Sequence, residues 1–367
     1  MHSLYRLRSY IMSQDFLVNR SNLAEAKMAS AVTPVAASGE AVLRVDKFAL
    51  TANNITYGVA GDIIGYWNFF PAEAGWGRIP VWGIATVQSS EHPGMKVGDR
   101  FYGYFPMSTE LLVKPERVTE RGFFDAAEHR AELPIVYNQY SKMTVDNGFD
   151  PALDNHAMLY RPLFTTSFVL DDYLADNDFF GADSVILGSA SSKTAFGLAF
   201  MLQRRGGKKV IGLTSAGNVD FCKGLGLYNE VLTYAEVESL PQAASAYVDM
   251  SGNGDVLRRL HHHLADNLLC SCGVGVTHHE SGLGQGSDDM PGAKPQMFFA
   301  PSQIVKRNEE LGPEIYQQQI GEATQAFLAE VDNWVSIEEH AFSDVDAVFH
   351  TILDGASPTR GYVITAG

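Results

Sequence analysis

The chain has 367 residues, of which 46% are hydrophobic and 19% are charged, and its formal net charge at pH 7 is −16. This length exceeds what one ordinary hydrophobic core supports, so two domains are expected, and the composition excludes a disordered chain. The excess of acidic residues argues against a nucleic-acid-binding protein, because phosphate binding depends on clustered Lys and Arg. The sequence therefore favours a globular protein that handles a small molecule.

Three features of the sequence indicate where in the cell the protein is expected. No apolar run approaches the roughly 20 residues that span a bilayer. The cysteines Cys222, Cys270 and Cys272 form no disulfide framework, which is typical of a reducing compartment. We therefore expect a cytoplasmic protein with no membrane partner. The basic segment MHSLYRLRSYI (1–11) is too short for a transit peptide, and we expect it to be loosely ordered or to precede the natural start at Met12.

Strand signals dominate the first 150 residues. AVLRVDKFAL (41–50) alternates apolar and polar side chains, which is the period of a half-buried strand. Glycine and proline then recur at turn spacing up to Pro106. Short strands with frequent turns predict a barrel or a sandwich.

After about residue 165 the pattern changes to strands that alternate with helices. SVILG (184–188) precedes the helical pattern KTAFGLAFMLQRRG (193–206), and further strand–helix pairs follow. This alternation predicts βαβ units on a parallel sheet. The segment from 302 to 331 is polar and helical, and the tail from 336 to 367 predicts strand, helix and strand.

The segment VILGSASSKTAFG (185–197) lies where the first of these strands meets its helix. A triphosphate-binding loop requires glycine at the positions of Leu187 and Ser192, so that function is disfavoured. A dinucleotide-binding loop also lacks two glycines here, because Ala190 and Lys193 occupy their positions, but the location is right and most replacements are small. We predict cofactor contacts from Gly188, Ser189, Ser191, Ser192, Lys193 and Thr194.

The next strand ends at Thr214-Ser215, where an NAD-binding protein usually places Asp or Glu against the ribose hydroxyls. No acidic residue occurs at that point, and Ser215, Asn218 and Lys223 offer donors for a 2′-phosphate instead. NADP(H) is therefore predicted in preference to NAD(H). The alternative is that these residues form only a solvated turn and a helix start.

Several separated segments resemble one known family. VGDRFYGYFPMSTELLVKP (97–115) resembles the family segment "VGDRV…EYVVVP", and RPLFTTSFVLDDYL (161–174) resembles its "PLAGLTAYQAL" helix. AYVDMSGN (246–253) and the closing segment HAFSDVDAVFHTILDGASPTRGYVIT (340–365) follow in the family's order. Over about residues 40–367 the chain is similar to the medium-chain dehydrogenase/reductases, in the zinc-free quinone-oxidoreductase-like branch. TANNITY and YWNFFPA also resemble motifs of a divergent family of uncharacterised function.

The resemblance implies an α/β protein with two domains. A GroES-like β-barrel domain would comprise residues 12–160 and 330–367, and a Rossmann domain with a doubly wound parallel sheet would comprise residues 161–329. It also implies NADP(H), a small-molecule substrate, a homodimer, and cofactor contacts from Ser251 and Gly273 at strand ends. No Cys or His-Glu pair stands at the family's zinc positions, so no metal is expected.

Departures from the family pattern concern the cofactor loop and one strand. Ser191 and Thr194 occupy glycine positions of the family's "GAAGGVG" loop, and Thr194 adds a Cβ where close approach is needed. PVWGIATV (80–87) keeps Pro80 and Gly83 but lacks the family's Glu.

In the resembled branch, TANNITYG (51–58) lines the nicotinamide pocket. Asn53 and Asn54 would then donate hydrogen bonds, and Tyr57 would protonate the product; the alternative is that the two Asn residues only cap a turn. Tyr140 is a further candidate for an acid or a carbonyl anchor, together with Tyr137 and Lys142.

Aromatic residues are dense in YWNFFPAEAGWGRIPVW (66–82), which either plugs the barrel or lines an apolar pocket. On the second interpretation, the substrate pocket is formed by Trp67, Trp82, Tyr137 and Phe299.

The remaining His and Cys residues favour structural explanations. Cys270 and Cys272 have strand spacing, and we predict a buried strand in preference to a metal site with His278 or His279. The run His261–His263 points in three directions on a helix, so a solvated face is predicted. His278 and His279 lie near the nicotinamide in the implied fold and are candidate substrate or cofactor contacts.

The sequence thus predicts an NADPH-dependent, zinc-free oxidoreductase acting on a small carbonyl, enone or quinone. An alternative keeps the fold, has an altered or lost dinucleotide site, and performs a lyase-type or hydrolase-type reaction with Tyr57, Tyr137 or Lys142 as acid or base.

Overall fold

The computed structural model describes residues 12–274 and 290–367, which form two compact units. Unit 1 contains the described residues up to Leu159 together with Ile337–Ala356 and Gly361–Gly367. Unit 2 contains the described residues of Tyr160–Ser336 and the short segment Ser357–Arg360. The predictions for residues 1–11, His278 and His279 lie outside the described residues.

The strands, in chain order, are β1 Met12–Asn19, β2 Asn22–Val32, β3 Ala41–Leu50, β4 Trp76–Gly77, β5 Pro80–Ser90, β6 Arg100–Pro106, β7 Glu110–Val113, β8 Pro115–Thr119, β9 Gly122–Asp125, β10 Gln139–Lys142, β11 Ser184–Gly188, β12 Lys209–Thr214, β13 Glu230–Thr233, β14 Ser245–Asp249, β15 Leu268–Val274, β16 Pro295–Phe298, β17 Ser336–Ala341 and β18 Arg360–Thr365. The α-helices are α1 Ala52–Val59, α2 Asp154–Asp176, α3 Lys193–Arg205, α4 Val219–Gly224, α5 Gly254–Leu264, α6 Ala300–Leu311, α7 Pro313–Val331 and α8 Val345–Leu353.

Unit 1 is built mainly from antiparallel strands. A nine-stranded sheet has the order β17-β18-β3-β5-β6-β10-β9-β8, with β7 paired to β3, and a three-stranded sheet has the order β2-β1-β4. The predicted strand at 41–50 is β3, which pairs with both β5 and β18. The strand-rich prediction for the N-terminal region is therefore confirmed.

Unit 2 contains a six-stranded parallel sheet in the order β13-β12-β11-β14-β15-β16. Starting from β11, this is the strand order 3-2-1-4-5-6 of a doubly wound dinucleotide-binding fold. All five residues of β11 are buried, as expected of a central parallel strand. The α/β prediction is confirmed, and the carboxyl ends of β11, β12 and β14 meet at one edge of the sheet.

Local sequence explains why α3 begins and ends where it does. Ser192 is the N-cap, and its hydroxyl accepts a hydrogen bond from the N–H of Ala195 at 3.3 Å. Arg204 and Arg205 occupy the last turn, where positive charge interacts favourably with the helix dipole. Gly206 has φ +73° and ends the helix, a conformation that glycine adopts without strain.

The prediction of a solvated face for His261–His263 is wrong for His261, whose side chain is fully buried. His261 follows Leu257 and precedes Leu264 at helical spacing, so it lies on the apolar face of α5. Its Nδ1 contacts the carbonyl oxygen of Pro291 and its Nε2 contacts Ser271 Oγ, each at 2.9 Å. Burial lowers its pKa, which favours the neutral imidazole.

Candidate functional site

A tight turn joins β11 to α3 at the edge of the parallel sheet. Ser189 has φ +54°, the Ser192 N–H donates to the Ser189 carbonyl at 2.8 Å, and the Ala190 N–H donates to Leu213 at 2.9 Å. The N–H groups of a first helical turn have no intrahelical acceptor, and the Ser192 hydroxyl caps only that of Ala195. The backbone N–H groups of Lys193 and Thr194 are thus available at the positive end of α3, as in an anion-binding helix start.

Gly188, at the end of β11, is required by packing between neighbouring strands. A Cβ there would lie 2.6 Å from Tyr247 Oη and 2.9 Å from Asp249 Oδ1, both on β14. The glycine therefore accommodates the side chains of β14 whether or not a phosphate binds nearby.

Hydroxyl and amide groups gather where β11 and β12 end. Ser191 Oγ accepts a hydrogen bond from Asn218 Nδ2 at 3.0 Å and lies 3.3 Å from Thr214 Oγ1. Ser215 is the N-cap of the short turn that leads to α4, and Lys223 lies in the last turn of α4. The structure thus brings Ser191 and Asn218 into contact.

Tyr234, which the sequence reasoning did not single out, follows β13 directly. Its side chain lies beside Ser189, and burial raises its pKa. Because β13 is parallel to β12, its carboxyl end meets the same edge of the sheet. That topological rule was the signal available for finding Tyr234.

The predicted contacts Ser251 and Gly273 lie at the ends of the neighbouring strands. Ser251 donates to Asp249 Oδ1 through its N–H at 2.8 Å and its hydroxyl at 2.6 Å. The hydrogen of this hydroxyl is therefore used to stabilise the turn after β14. Gly273 is paired with Asp249 and lines a small cavity of about 40 Å³ together with Ser271 and Gln296.

Lys193 extends away from its own helix. Its Nζ donates to the carbonyl oxygen of Arg360 at 2.7 Å. The side chain keeps part of its surface exposed, but desolvation of the ammonium group lowers its pKa to about 8. The Thr194 carbonyl accepts a hydrogen bond from Ser167 Oγ at 2.8 Å, which anchors the first turn of α3 to α2.

These donors fit the phosphates of a dinucleotide. Backbone N–H groups at a helix start, hydroxyls and an amide lie around the end of β11, and the stretch from Thr214 to Asn218 contains no carboxylate. A 2′-phosphate is compatible with this neutral stretch, and Lys223 supplies a positive charge at the end of α4.

A second group of candidate residues forms an aromatic cluster in unit 1, which we define as Tyr57, Tyr66, Phe69, Trp82, Tyr104 and Tyr137. Ring centroids of Tyr57 and Tyr66 are 4.5 Å apart, those of Tyr104 and Tyr137 are 4.7 Å apart, and those of Trp82 and Tyr104 are 5.2 Å apart. Four phenols and one indole therefore meet in one place. The predicted pocket residues Trp82 and Tyr137 both belong to this cluster.

Strand register explains how Trp82 and Tyr104 meet. In the antiparallel pair of β5 and β6, Trp82 lies directly opposite Tyr104, so their side chains share one face of the sheet. Tyr102, two residues earlier, lies on the same face and stacks on Trp82 with a centroid distance of 5.4 Å. Tyr104 was not predicted as a site residue, because its contact with Trp82 depends on the register between β5 and β6, which the sequence alone does not show.

Tyr57 is 6% exposed and lies on α1, one helical turn after Asn53. Asn53 Nδ2 donates a hydrogen bond to Tyr57 Oη at 2.7 Å. Burial raises the pKa of Tyr57, and the neighbouring Tyr137 phenol raises it further. Tyr57 is therefore a protonated phenol across the physiological pH range and is suited to donate a proton.

Asn54 serves a structural purpose. Its Oδ1 accepts from the N–H of Thr51 at 2.7 Å as part of a capping box, and its Nδ2 donates to the Pro80 carbonyl at 2.9 Å. The turn-capping alternative therefore describes Asn54, and the contact with Pro80 fixes α1 against the start of β5. Asn53, by contrast, directs its amide at Tyr57.

Tyr140 lies in the core of unit 1 and is fully buried. Its hydroxyl donates to the Tyr104 carbonyl at 2.6 Å and accepts from Arg130 at 3.0 Å. Arg130 is itself 1% exposed and forms an ion pair with Asp125 at 2.8 Å. The hydrogen bonds of Tyr140 are thus used within the fold, and burial raises its pKa to about 12.

Two other predicted residues lie apart from the aromatic cluster. Trp67 is packed between two glycines: a Cβ on Gly61 or on Gly77 would come within 2.3 Å of the indole. Trp67 therefore fills the core. Phe299 is the N-cap of α6 in unit 2 and is 63% exposed.

Lys142, the candidate for a Schiff base, forms an ion pair with Asp99 at 2.9 Å. Cys270 and Cys272 are buried in β15, as predicted for a strand, and burial raises the pKa of Cys270 to about 11.

Within residues 12–274 and 290–367, no three His, Cys, Asp or Glu side chains are grouped to hold a metal ion. In the same part of the chain, no helix is long and apolar enough to cross a membrane.

Solved structures with a similar fold come from several organisms. CurA from Vibrio vulnificus in complex with NADPH has a TM-score of 0.61 at 14% identity, covering 96% of this chain and 99% of that one. The quinone oxidoreductase of Thermus thermophilus, which was also solved in complex with NADPH, and that of Coxiella burnetii each have a TM-score of 0.54 at 14% identity with the same coverage. At this identity the likeness concerns the fold, and the predicted fold of the medium-chain dehydrogenase/reductases is confirmed.

Sequence comparison is more restricted. No curated protein matches the chain. One family model, described as "Protein of unknown function (DUF2855)", matches residues 48–358, which include the turn between β11 and α3 and the aromatic cluster. The chain combines the fold of the medium-chain dehydrogenase/reductases with membership of this divergent family: it belongs to the DUF2855 family.

Proposed function

We propose that this protein is an NADP(H)-dependent oxidoreductase that reduces a small carbonyl, enone or quinone without a metal. The observation that carries the proposal is the turn between β11 and α3, where phosphate-binding groups gather beside a strand end that lacks a carboxylate. Structures of similar fold that contain NADPH support the choice of cofactor.

The cofactor contacts follow from the geometry of this edge. The N–H groups of Lys193 and Thr194 would bind the pyrophosphate at the start of α3. Ser215, Asn218 and Lys223, at the ends of β12 and α4, would hold the 2′-phosphate, because no carboxylate lies between Thr214 and Asn218 to repel it.

When bound, the nicotinamide supplies a hydride to the substrate. The chain itself would supply the proton: Tyr57 stays protonated because burial raises its pKa, and Asn53 orients its hydroxyl. Trp82 and Tyr137 would contact a planar, uncharged substrate through their rings and exclude water from it.

Titration calorimetry with NADPH and NADH tests the cofactor assignment. We expect NADPH to bind more tightly than NADH, and Lys223→Ala to reduce that preference because it removes a positive charge from the 2′-phosphate site. Tyr57→Phe serves as the matched variant: it should bind NADPH as the natural chain does and lose about 10²-fold or more in kcat. Absence of binding to both nucleotides at millimolar concentration would overturn the proposal.

One observation favours a rival function. The Ser191 hydroxyl is already hydrogen-bonded to Asn218, which is how a loop that has lost its dinucleotide would satisfy its own polar groups. In that case the aromatic cluster would perform a lyase-type or hydrolase-type reaction. Turnover of a ketone substrate without added nicotinamide would favour this rival.

A further inference from the structure

A serine and a histidine are hydrogen-bonded beside the small cavity in unit 2. Ser271 Oγ on β15 lies 2.9 Å from His261 Nε2 on α5, and His261 Nδ1 lies 2.9 Å from the carbonyl oxygen of Pro291. Because a carbonyl oxygen can only accept a hydrogen bond, Nδ1 carries the hydrogen of the neutral imidazole. Nε2 is then the acceptor, and the Ser271 hydroxyl donates its hydrogen to it.

This arrangement is that of a serine nucleophile with its general base. In such sites the serine hydroxyl donates to one imidazole nitrogen, and a third group holds the other nitrogen and fixes the tautomer. Here the third group is the backbone carbonyl of Pro291. Burial lowers the pKa of His261, which favours the neutral imidazole that can accept a proton from Ser271.

Packing alone does not require a histidine at position 261. The buried residues around it on α5 include Leu257, Leu260 and Leu264, and a further leucine would need no polar partner. A buried imidazole, by contrast, needs a hydrogen-bond partner for each nitrogen, and the fold provides both. This additional requirement favours a chemical role over simple packing.

The lining of the cavity beside Ser271 indicates which kind of ligand it suits. The cavity is about 40 Å³ in volume, which is several times the space that one water molecule needs. Leu257 and Met297 give it apolar surface, and Asp249 adds a carboxylate that disfavours an anionic ligand. Met297 is 45% exposed, so the wall formed by β16 lies at the protein surface. A small, uncharged acyl compound matches this lining.

We propose that Ser271 and His261 form an acyl-transfer site for a small, uncharged ester. Ser271 Oγ bonds to the acyl carbon, and the bond from that carbon to the leaving oxygen breaks with its electron pair on the oxygen. The serine proton passes to His261 Nε2 and from there to the leaving alcohol. Water then attacks the acyl-serine with His261 as the base, which releases the carboxylic acid and restores the hydroxyl.

Gln296 is the candidate for the third group that acyl transfer needs. The acyl oxygen becomes negatively charged as the tetrahedral intermediate forms, and a side-chain amide is one of the groups that stabilise such an oxyanion. Gln296 lines the same cavity and lies on the strand that pairs with β15. The site uses neither the turn between β11 and α3 nor the aromatic cluster, so it is independent of the proposed reduction.

p-Nitrophenyl acetate is the probe that tests this site in the full chain. We expect a burst of p-nitrophenol and a single acetyl group on the protein, which peptide mapping by mass spectrometry should locate at Ser271. Ser271→Ala should lower the burst rate by about 10²-fold or more, because the nucleophile is gone. Gln296→Leu should lower it by about tenfold or more and leave the acetyl group at Ser271.

Ser245→Ala is the matched control. Ser245 is buried in the adjacent strand β14, and its hydroxyl lies 2.8 Å from that of Ser184 instead of an imidazole. This variant should react with the ester as the natural chain does.

Acetylation of the natural chain only at lysine or cysteine side chains would overturn the inference, because the pair would then serve only to join α5 to β15. An unchanged burst in Ser271→Ala would overturn it as well. The mapping on the natural chain decides the question even if Ser271→Ala fails to fold. Failure of NADPH to bind would overturn the proposed function and leave this result as it is.

Discussion

The loop between β11 and α3 in unit 2 and the aromatic cluster in unit 1 are assembled in opposite ways. The loop is one continuous stretch, from Gly188 to Thr194, and the groups that we propose as cofactor ligands there are backbone N–H groups and short side chains. The cluster takes its residues from α1, β5, β6 and the segments before β4 and β10, and its groups are large side chains. The loop should tolerate changes in unit 1, whereas the cluster depends on every element that contributes to it.

The largest expected effect concerns the support beneath the aromatic cluster. Arg130→Met leaves the carboxylate of Asp125 buried and unpaired, which should lower the free energy of unfolding by about 3–5 kcal/mol. Arg130 also donates to the Tyr137 carbonyl at 2.6 Å, so the cluster should be disturbed as well. Urea unfolding followed by tryptophan fluorescence measures the loss.

Lys27→Met is the control for that variant, because its ion pair with Glu73 is exposed and should contribute about 0–1 kcal/mol. Equal effects of the two substitutions would contradict the structural role of Arg130. If NADPH binding fell in Arg130→Met as much as stability did, the independence of the loop from unit 1 would be wrong.

A smaller effect is expected at Gly188. Gly188→Ala places a Cβ against Tyr247 and Asp249, and we expect overpacking to cost about 1–3 kcal/mol in the protein without ligand. The loss of stability caused by Gly188→Ala should be smaller in a Tyr247→Phe background, because that background lacks the hydroxyl nearest to the new methyl group. Gly217→Ala, which meets no atom within 4 Å, is the control. A loss of NADPH affinity with unchanged stability would instead indicate that Gly188 serves the phosphate alone.

The smallest effect concerns charge at the loop. The pKa of Lys193 is lowered to about 8, so the ammonium group loses its charge as pH rises through that value and NADPH affinity should fall over the same range. Lys193→Met should remove this pH dependence and weaken binding near pH 7 by about tenfold or less. Calorimetry at pH 7 and above pH 9 measures both. Lys208→Met is the control, since Lys208 donates to Ala182 at the opposite end of the sheet.

The sequence predicted the loop well because its signals are local. A buried strand, small residues, the N-cap Ser192 and the terminating Gly206 follow one another, so strand, turn and helix could be read in order. The phosphate-binding role of the loop stays a prediction. Its internal bond between Ser191 and Asn218 could not be foreseen, since it depends on how two strand ends meet.

The aromatic cluster was predicted only in part because its geometry depends on distant pairings. Trp82 and Tyr137 were singled out, but Tyr104 became visible only through the register of β5 with β6. Trp67 has the same aromatic character, yet contacts with glycines on both sides place it in the core. Arg130 in AEHRAELP has the pattern of a solvated turn, and its burial follows from partners that the fold brings to it.

The pairing of β18 with β3 has a consequence for the order in which the chain folds. Leu50 pairs with Tyr362, so half of one edge of β3 stays open during synthesis until residues 362–365 have left the ribosome. An open strand edge is a site for aggregation, and contacts between distant residues form slowly. The six strands of unit 2 lie between residues 184 and 298, so co-translational folding should complete the second unit in the sequence before the first.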